Sequence, residues 1–366
     1  MKHTNFFKLF PVPNYLLVPV VGLDVSDRSI KYIELSSNGQ IGIKRYGEKL
    51  MPVGVIEEGR IKNKTEAIKV LTELKKELGL NHIFASLPED EAFIARMKMP
   101  AMKKSELRDS IELQLEEYIP LPPDQCIFDF EIISKIGEVE KKGADVSVSV
   151  LPKSIVEDYL EIFTQAGLEP LSFEIEAQAI ARALIKKGDS GTSMIVDIGK
   201  IHTGFSIAQA DRVIFTSTIG LGGSNITFCL QRALGLDAIT AEKVKTERGL
   251  LRSKENQEVF AALMPPISAL KDEIKQRFSY WQNHYDKDEG KRSSIDRVIL
   301  IGGQSTLPGF QEYLEAHLEI PVELGDPWIN FILGKDELPP IDYNNAMRYI
   351  TALGLTLKNC QINYGF

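Results

Sequence analysis

The sequence predicts an α/β fold of two related lobes, with a small α+β subdomain inserted into the first. Three observations predict it. An apolar strand ending in an acid, a short polar turn and a second apolar strand occur at Val18–Leu35 and recur at Ser193–Ala208. A supersecondary unit that recurs in the second half of a chain is the mark of two related lobes. Strand, helix, strand, strand and helix patterns fill the stretch from about Glu91 to Glu169, the order of a compact α+β module. The length of 366 residues, 43% apolar and 26% charged, is enough for two or three modules with real cores.

Taken in order, residues 1–19 read as an N-terminal arm leading into a buried strand. Tyr15–Leu23 is too short to span a membrane and contains Pro19, and Asp24 follows with no small-residue cleavage pattern. Phe6, Phe7, Leu9 and Phe10 are an apolar group suited to a membrane surface or a partner. Val18–Asp24 and Ile30–Leu35 form a hairpin, and Ile41–Lys49 a third strand. Thr65–Leu78 is a helix with Thr65 as N-cap and Gly79 as its stop, and His82–Leu87 is a buried strand closed by Pro88. In the insert, Ser105–Tyr118 is amphipathic, with Leu107, Ile111 and Leu115 on one face, and it ends at Pro120. Phe128–Ile133 and Asp145–Val150 alternate as strands, and a Ser154–Glu157 capping box opens a helix that runs to Ala166. Phe173–Lys187 reads as an Ala-rich helix. Beyond it, Ser193–Asp197, Gly204–Ala208 and Val213–Ile219 are strands. Thr240–Arg248 and Pro266–Tyr285 are helices, and Lys287–Ser294 is a charged loop. Arg297–Ile301 is a strand, Phe310–His317 a helix, Asp336–Tyr343 a loop and Ala346–Leu357 a closing helix. The expected partition is 20–90, 170–190 and 346–366 for the first lobe, 91–169 for the insert and 191–345 for the second lobe.

The net charge of −8 disfavours general nucleic-acid binding. Cys126, Cys229 and Cys360 are far apart with no C-x-x-C pair, which suits a reducing compartment and speaks against a disulfide framework or a zinc site. No run of about 20 apolar residues is present, so no transmembrane segment is expected.

The chemistry is carried by strand-terminal acids. Asp24 and Asp197 end equivalent strands of the two lobes, and a carboxylate pair facing across a cleft can hold a hydrated Mg²⁺, which keeps its waters and takes few direct protein oxygens. Such an ion neutralises β- and γ-phosphate charge. The turn Ser26–Ser29 offers backbone N–H groups and hydroxyls to phosphate, with Gly199 and Thr203 doing the same from the other lobe. Lys31 is the nearest cation. Gly302-Gly303, after a buried strand, lets a flat ring system approach the backbone, and Gly222-Gly223 is a similar pair. Neither a Walker A nor a Rossmann glycine motif is present, so a nucleotide site must use another architecture.

These motifs together resemble the actin/hexokinase/heat-shock-chaperone ATPase superfamily, with its ribonuclease H-like lobes. Gly22–Lys31 resembles the first phosphate motif, Val196–Thr203 the second and Val298–Gly303 the adenosine motif. Ile175–Ala179 and Ala352–Gly354 resemble the two helices that connect the lobes. Within the superfamily the chain is most similar to PilM, the actin-like family of type IV pilus assembly, and next to FtsA of cell division. Gly22–Ser26, Ser29–Lys31, Met97–Pro100, Glu112–Pro120 and Gly220–Thr227 carry that likeness.

The resemblance implies an actin-like fold that binds ATP and Mg²⁺, with Asp24 and Asp197 around the metal and its waters. It implies Ser26, Ser29 and Lys31 on the β-phosphate side, Gly199 and Thr203 at the outer phosphates, and Glu176 positioning attacking water. Glu242 and Lys245 would contact ribose and adenine, and Gly302 and Gly303 would pack on the adenosine. It further implies a cytoplasmic adaptor at the inner face of the cell membrane. That adaptor would dock the N-terminal cytoplasmic peptide of a PilN-like membrane protein between the first lobe and the insert, beside other pilus assembly components. The acidic helix Ser105–Tyr118 and the strand near Phe128 are the expected groove walls. The chain departs from the family in its second phosphate turn, where Lys200-Ile201-His202 replaces small residues; this favours binding over rapid hydrolysis, and at most a slow ATPase. A small-molecule kinase of the same superfamily would need a base beside a second substrate pocket, and only Glu176 offers one. An FtsA-like membrane-tethered filament would be expected to end in a basic amphipathic helix, a character that Asn359–Phe366 lacks.

Overall fold

The computed structural model describes residues 18–36, 42–79, 81–133, 139, 143–283, 285–286, 290–291, 293–331, 339 and 341–364. Residues 1–17 of the expected arm, with its Phe6–Phe10 group, lie outside the described residues, as do half of the Lys287–Ser294 loop, half of the Asp336–Tyr343 loop and the final two residues.

Alternating apolar residues build a five-stranded sheet in the first lobe. Its strands are β1 (Val21–Val25), β2 (Ser29–Ser36), β3 (Gly42–Leu50), β4 (His82–Leu87) and β8 (Glu169–Ile175). Their order across the sheet is β8-β4-β1-β2-β3, with β1 antiparallel to β2 and parallel to β4. The second lobe repeats this plan with β9 (Thr192–Ile198), β10 (Thr203–Gln209), β11 (Arg212–Ile219), β12 (Arg297–Ile301) and β13 (Val322–Leu324). The order is β11-β10-β9-β12-β13, again with the first strand antiparallel to the second and parallel to the fourth. In both lobes the sequence order across the sheet is therefore third, second, first, fourth, fifth. The duplicated hairpin predicted two related lobes, and the shared strand order has that form.

Helix α1 (Lys64–Leu78) covers the first sheet with Ala67, Val70, Leu71 and Leu74. Its N-cap is Asn63, not Thr65, because the Asn63 side chain accepts from the Glu66 amide at 3.1 Å. Gly79 ends it in the left-handed region at φ 63°.

The insert contributes β5 (Phe93–Met99), α2 (Leu107–Tyr118), β6 (Cys126–Ile132) and β7 (Ala144–Pro152). Its antiparallel sheet, ordered β5-β7-β6, buries Met97, Val146 and Val148 against Leu107, Ile111 and Leu115 of α2. Helix α3 (Lys153–Gln165) follows directly after Pro152 with no side-chain cap, so the predicted Ser154–Glu157 capping box does not form. Ile155, Tyr159, Ile162 and Phe163 of α3 join the core of the first lobe, not that of the insert. The helix expected from Phe173 begins only at Glu176, as α4 (Glu176–Leu184), because residues through Ile175 pair with β4 as β8.

The second lobe adds α5 (Gly223–Leu234), α6 (Ala238–Arg248), α7 (Gln257–Asn283) and α8 (Phe310–Leu318). Helix α7 starts nine residues before the expected Pro266 and carries Pro265 and Pro266 inside it. Helix α9 (Ile350–Tyr364) closes the chain and crosses α4 between the lobes. The crossing is possible because residue 354 is glycine: a Cβ there would lie 1.8 Å from the Ala179 carbonyl oxygen. Beside it, Glu174 is buried with the Arg182 guanidinium at 2.6 and 2.7 Å and the Lys358 ammonium at 2.6 Å, and Arg182 also donates to the Gly354 carbonyl at 3.0 Å.

Candidate functional site

The two sheets point the ends of β1 and β9 into one cavity of about 1100 Å³, lined from both lobes. Asp24, on β1, lies opposite Lys31 in the hairpin register, and the Lys31 ammonium is 3.3 Å from Asp24 Oδ2. The Ser86 hydroxyl on β4 donates to Asp24 Oδ1 at 3.4 Å and accepts from the Val25 amide at 3.1 Å. Burial would depress the Lys31 ammonium, but Asp24, with Glu48 and Glu176 beyond it, holds it above its usual range.

Asp197 sits at the matching place on β9, between Gly204 of β10 and Ile301 of β12. Gly302 follows β12 at φ 85°, and a Cβ there would come within 2.3 Å of Asp197 Oδ1. The glycine thus keeps room for the carboxylate. Burial and the charge of Asp24 push Asp197 up to about 6, with Lys31 pulling the other way. The two acids share one electrostatic environment.

More carboxylates converge than the sequence suggested. Glu176 opens α4, and burial together with Asp24, Glu89, Asp197 and Asp90 holds it well above the carboxylate range. Glu89 is pushed to about 8 by burial, then by Asp197 and Asp90. Asp90 is raised by burial, offset in part by His202 and by a hydrogen bond from Thr218. Glu89 and Asp90 follow Pro88 at the end of β4. They belong to the same class of strand-terminal acid as Asp24, and the proline that closes the strand is the local signal that could have marked them. Among the described residues no three acid, imidazole or thiol side chains form a ready-made metal cage. The donors in the cavity are nevertheless hard oxygens, and Glu89 Oε1 is closed from solvent with no hydrogen-bond partner. A hydrated divalent cation fits this chemistry, because its waters satisfy orphaned oxygens and its charge offsets the acids.

The flanking turns differ from expectation in detail. The Ser26 amide and hydroxyl both donate to the Ser29 carbonyl, at 3.0 and 2.9 Å, so they close the turn. Ser29 is buried and its hydroxyl bonds Glu48. Gly199 lines the cavity, but Thr203 does not: it is fully buried and its hydroxyl donates to the Leu221 carbonyl at 2.6 Å. Gly223 lines the cavity and Gly222 does not; the Gly222 amide is taken by the Asn225 side chain at 2.9 Å. The turn itself is joined to the start of α5 by two backbone bonds, Gly223 N–H to the Gly199 carbonyl at 3.0 Å and Ser224 N–H to the Lys200 carbonyl at 2.8 Å. His202 Nδ1 lies 4.0 Å from Asp90 Oδ2 across the cleft.

On the far wall, Glu242 and Lys245 of α6 both line the cavity. Lys245 is buried, and its ammonium donates to Thr227 Oγ1 at 2.8 Å and to the Gly223 carbonyl at 3.3 Å, and pairs with Glu242 at 2.7 Å. Burial lowers its pKa, with Glu242 opposing. The ammonium therefore braces α6 under the start of α5. Gly303 is open, since a Cβ there would meet only Arg348 Cγ at 3.8 Å. Arg348, which carries no local sequence signal, pairs with Glu48 at 2.7 Å on the cavity wall.

Comparison with known proteins identifies the family and the fold. A family model described as type IV pilus assembly protein PilM matches residues 22–360. Among solved structures, a PilM-PilN type IV pilus biogenesis complex superposes with a TM-score of 0.75 at 22% identity, covering 93% of this chain and 98% of that one. MreB5 of Spiroplasma citri bound to ADP superposes with a TM-score of 0.54 at 12% identity, covering 95% and 98%. The actin-like fold is thereby shown. Cell division protein FtsA of Neisseria meningitidis serogroup B is 21% identical over 68% of this chain and 66% of its own length. The chain spans less than two thirds of the length of the curated relatives it matches.

Proposed function

Because this chain belongs to the type IV pilus assembly protein PilM family, we propose that it is an actin-like adaptor of a pilus inner-membrane assembly complex. In this reading it holds ATP with Mg²⁺ in the cleft and docks the N-terminal cytoplasmic tail of a PilN-like membrane protein. The observation that carries the nucleotide reading is the convergence of Asp24 and Asp197, from equivalent strands of two lobes, on one cavity. Bound Mg²⁺ would supply neutralising charge to the outer phosphates.

The residues of the chain do the rest. Asp24 and Asp197 orient the water shell of the ion, and Lys31 faces phosphate from the first lobe. Glu176 is placed at the start of α4 to hold a water. Gly303 leaves the backbone open to a ring system, whereas Gly302 serves by making room for the Asp197 carboxylate, and Glu242 faces the cleft from α6. Lys245 serves through its brace on α5 and not by presenting a free ammonium. Ser26 and Ser29 shape the first turn, and Gly199 and Gly223 line the second; Thr203 and Gly222 support that turn from inside. Among the described residues no helix is long and apolar enough to cross a membrane. Placement at the inner face of the cell membrane, through the PilN-like tail and other pilus components, is part of the same proposal.

Calorimetry tests the nucleotide reading. The wild-type protein is expected to bind ATP in the presence of Mg²⁺, and Asp24→Ala to weaken binding by at least about 100-fold, the scale of losing a charge-assisted contact to a buried ion. Equal affinities for the two proteins would remove Asp24 from the site.

A further inference from the structure

We propose that Glu89 is a third acid of the cation site, a positioning residue that holds the water shell of the divalent ion beside Asp197. The inference rests on the nucleotide reading above and adds a residue to which that reading assigns no role.

Glu89 is placed by the first lobe, in the short turn after β4, yet it reaches the second. Its Oε2 lies 3.6 Å from the position that a Cβ on Gly204 would occupy, and Gly204 is the register partner of Asp197. The Glu89 carboxylate therefore stands at contact distance from the β10 backbone beside Asp197. Glu89 Oε1 is closed from solvent and has no hydrogen-bond partner. Leaving a buried carboxylate oxygen unbonded costs free energy, and that cost is removed when a donor enters the cavity. The charged groups that act most strongly on it offer no donor. Asp197 and Asp90 are its strongest electrostatic neighbours and both are acids, and the Lys31 ammonium is already engaged by Asp24. The water molecules of a dication are the donors that also relieve repulsion among these acids. Outer-shell acids of this kind orient the ligands of an ion without touching it.

The test is the cation dependence of ATP binding, read by calorimetry as the Mg²⁺ concentration that gives half of the full ATP affinity. Glu89→Gln keeps the shape of the side chain and removes its charge. It is expected to raise the Mg²⁺ requirement by about tenfold or more, the range for losing an outer-shell partner, while binding of ATP in EDTA is unchanged or tighter. Glu89→Asp, which keeps the charge on a shorter stem, is expected to fall between the two. Mn²⁺ with ATP, followed by electron paramagnetic resonance, reports the same order of ion affinities without relying on turnover. Coincident Mg²⁺ curves for wild type and Glu89→Gln would overturn the proposal while leaving the nucleotide site intact. Failure of the wild-type protein to bind ATP at any Mg²⁺ concentration would defeat the nucleotide reading itself, and this proposal with it.

Discussion

At the scale of single residues, Asp197 and Glu89 pay for being in the cleft. Each has a folded-state pKa above its ordinary value, about 6 against 3.8 and about 8 against 4.5. Between those values the folded protein binds more protons than the unfolded chain, so stability falls as pH rises through that window. The ligand-free protein is therefore expected to lose on the order of 1 kcal/mol between about pH 5 and pH 8, after solvent screening of these groups. Thermal melts across that range check it: Glu89→Gln should show a shallower decline than wild type, and Mg²⁺ with ATP should flatten both. A melting temperature that climbs steadily from pH 5 to pH 8 would contradict the assignment of raised carboxyl pKa values.

At the scale of elements, the α4–α9 crossing is set by one missing methyl group. A Cβ at residue 354 would sit 1.8 Å from a backbone carbonyl, which no rotamer change can relieve. Gly354→Val is expected to cost at least about 3 kcal/mol, through overpacking and through parting Arg182 from its carbonyl acceptor. Denaturant unfolding measures this, and a loss below about 1 kcal/mol would mean that the helices can slide apart freely.

Elements also divide what was legible in the sequence from what was not. Asp24, Asp197 and the duplicated hairpins could be read because strand alternation and strand-terminal acids are local patterns. The sequence places the start of α4 too early because Phe173-Glu174-Ile175 fits either conformation, and only pairing with β4 makes it a strand. Thr203 looked like a phosphate contact by position, but its hydroxyl is satisfied by Leu221, eighteen residues away. Helix α3 completes the expected strand, helix, strand, strand, helix order of the insert, whereas its Tyr159 hydroxyl reaches the Gly59 carbonyl of the first lobe at 3.1 Å. Arg348 and Glu48, some 300 residues apart, meet only in the folded molecule.

At the scale of the whole molecule, the insert is tied to the lobes. The Ser147 hydroxyl of β7 donates to the Val213 carbonyl of β11 at 2.6 Å, and the Gln178 side chain of α4 donates to Ser149 at 2.9 Å. The outer face of α2 carries exposed Glu112, Leu113 and Glu116. If a PilN-like tail docks along this wall, charge reversal at Glu112 and Glu116 should weaken a synthetic tail peptide by about three- to tenfold in fluorescence anisotropy, and the loss should shrink at high salt. Unaltered peptide affinity in the doubly reversed protein would move the docking groove elsewhere.

The join between the Gly199–His202 turn and helix α5 has a mechanical consequence. Two consecutive amides at the start of that helix are spent on turn carbonyls, so loop and helix are joined directly through the backbone. A displacement of the turn would therefore be felt first at the start of this helix, the element that carries the exposed Phe228.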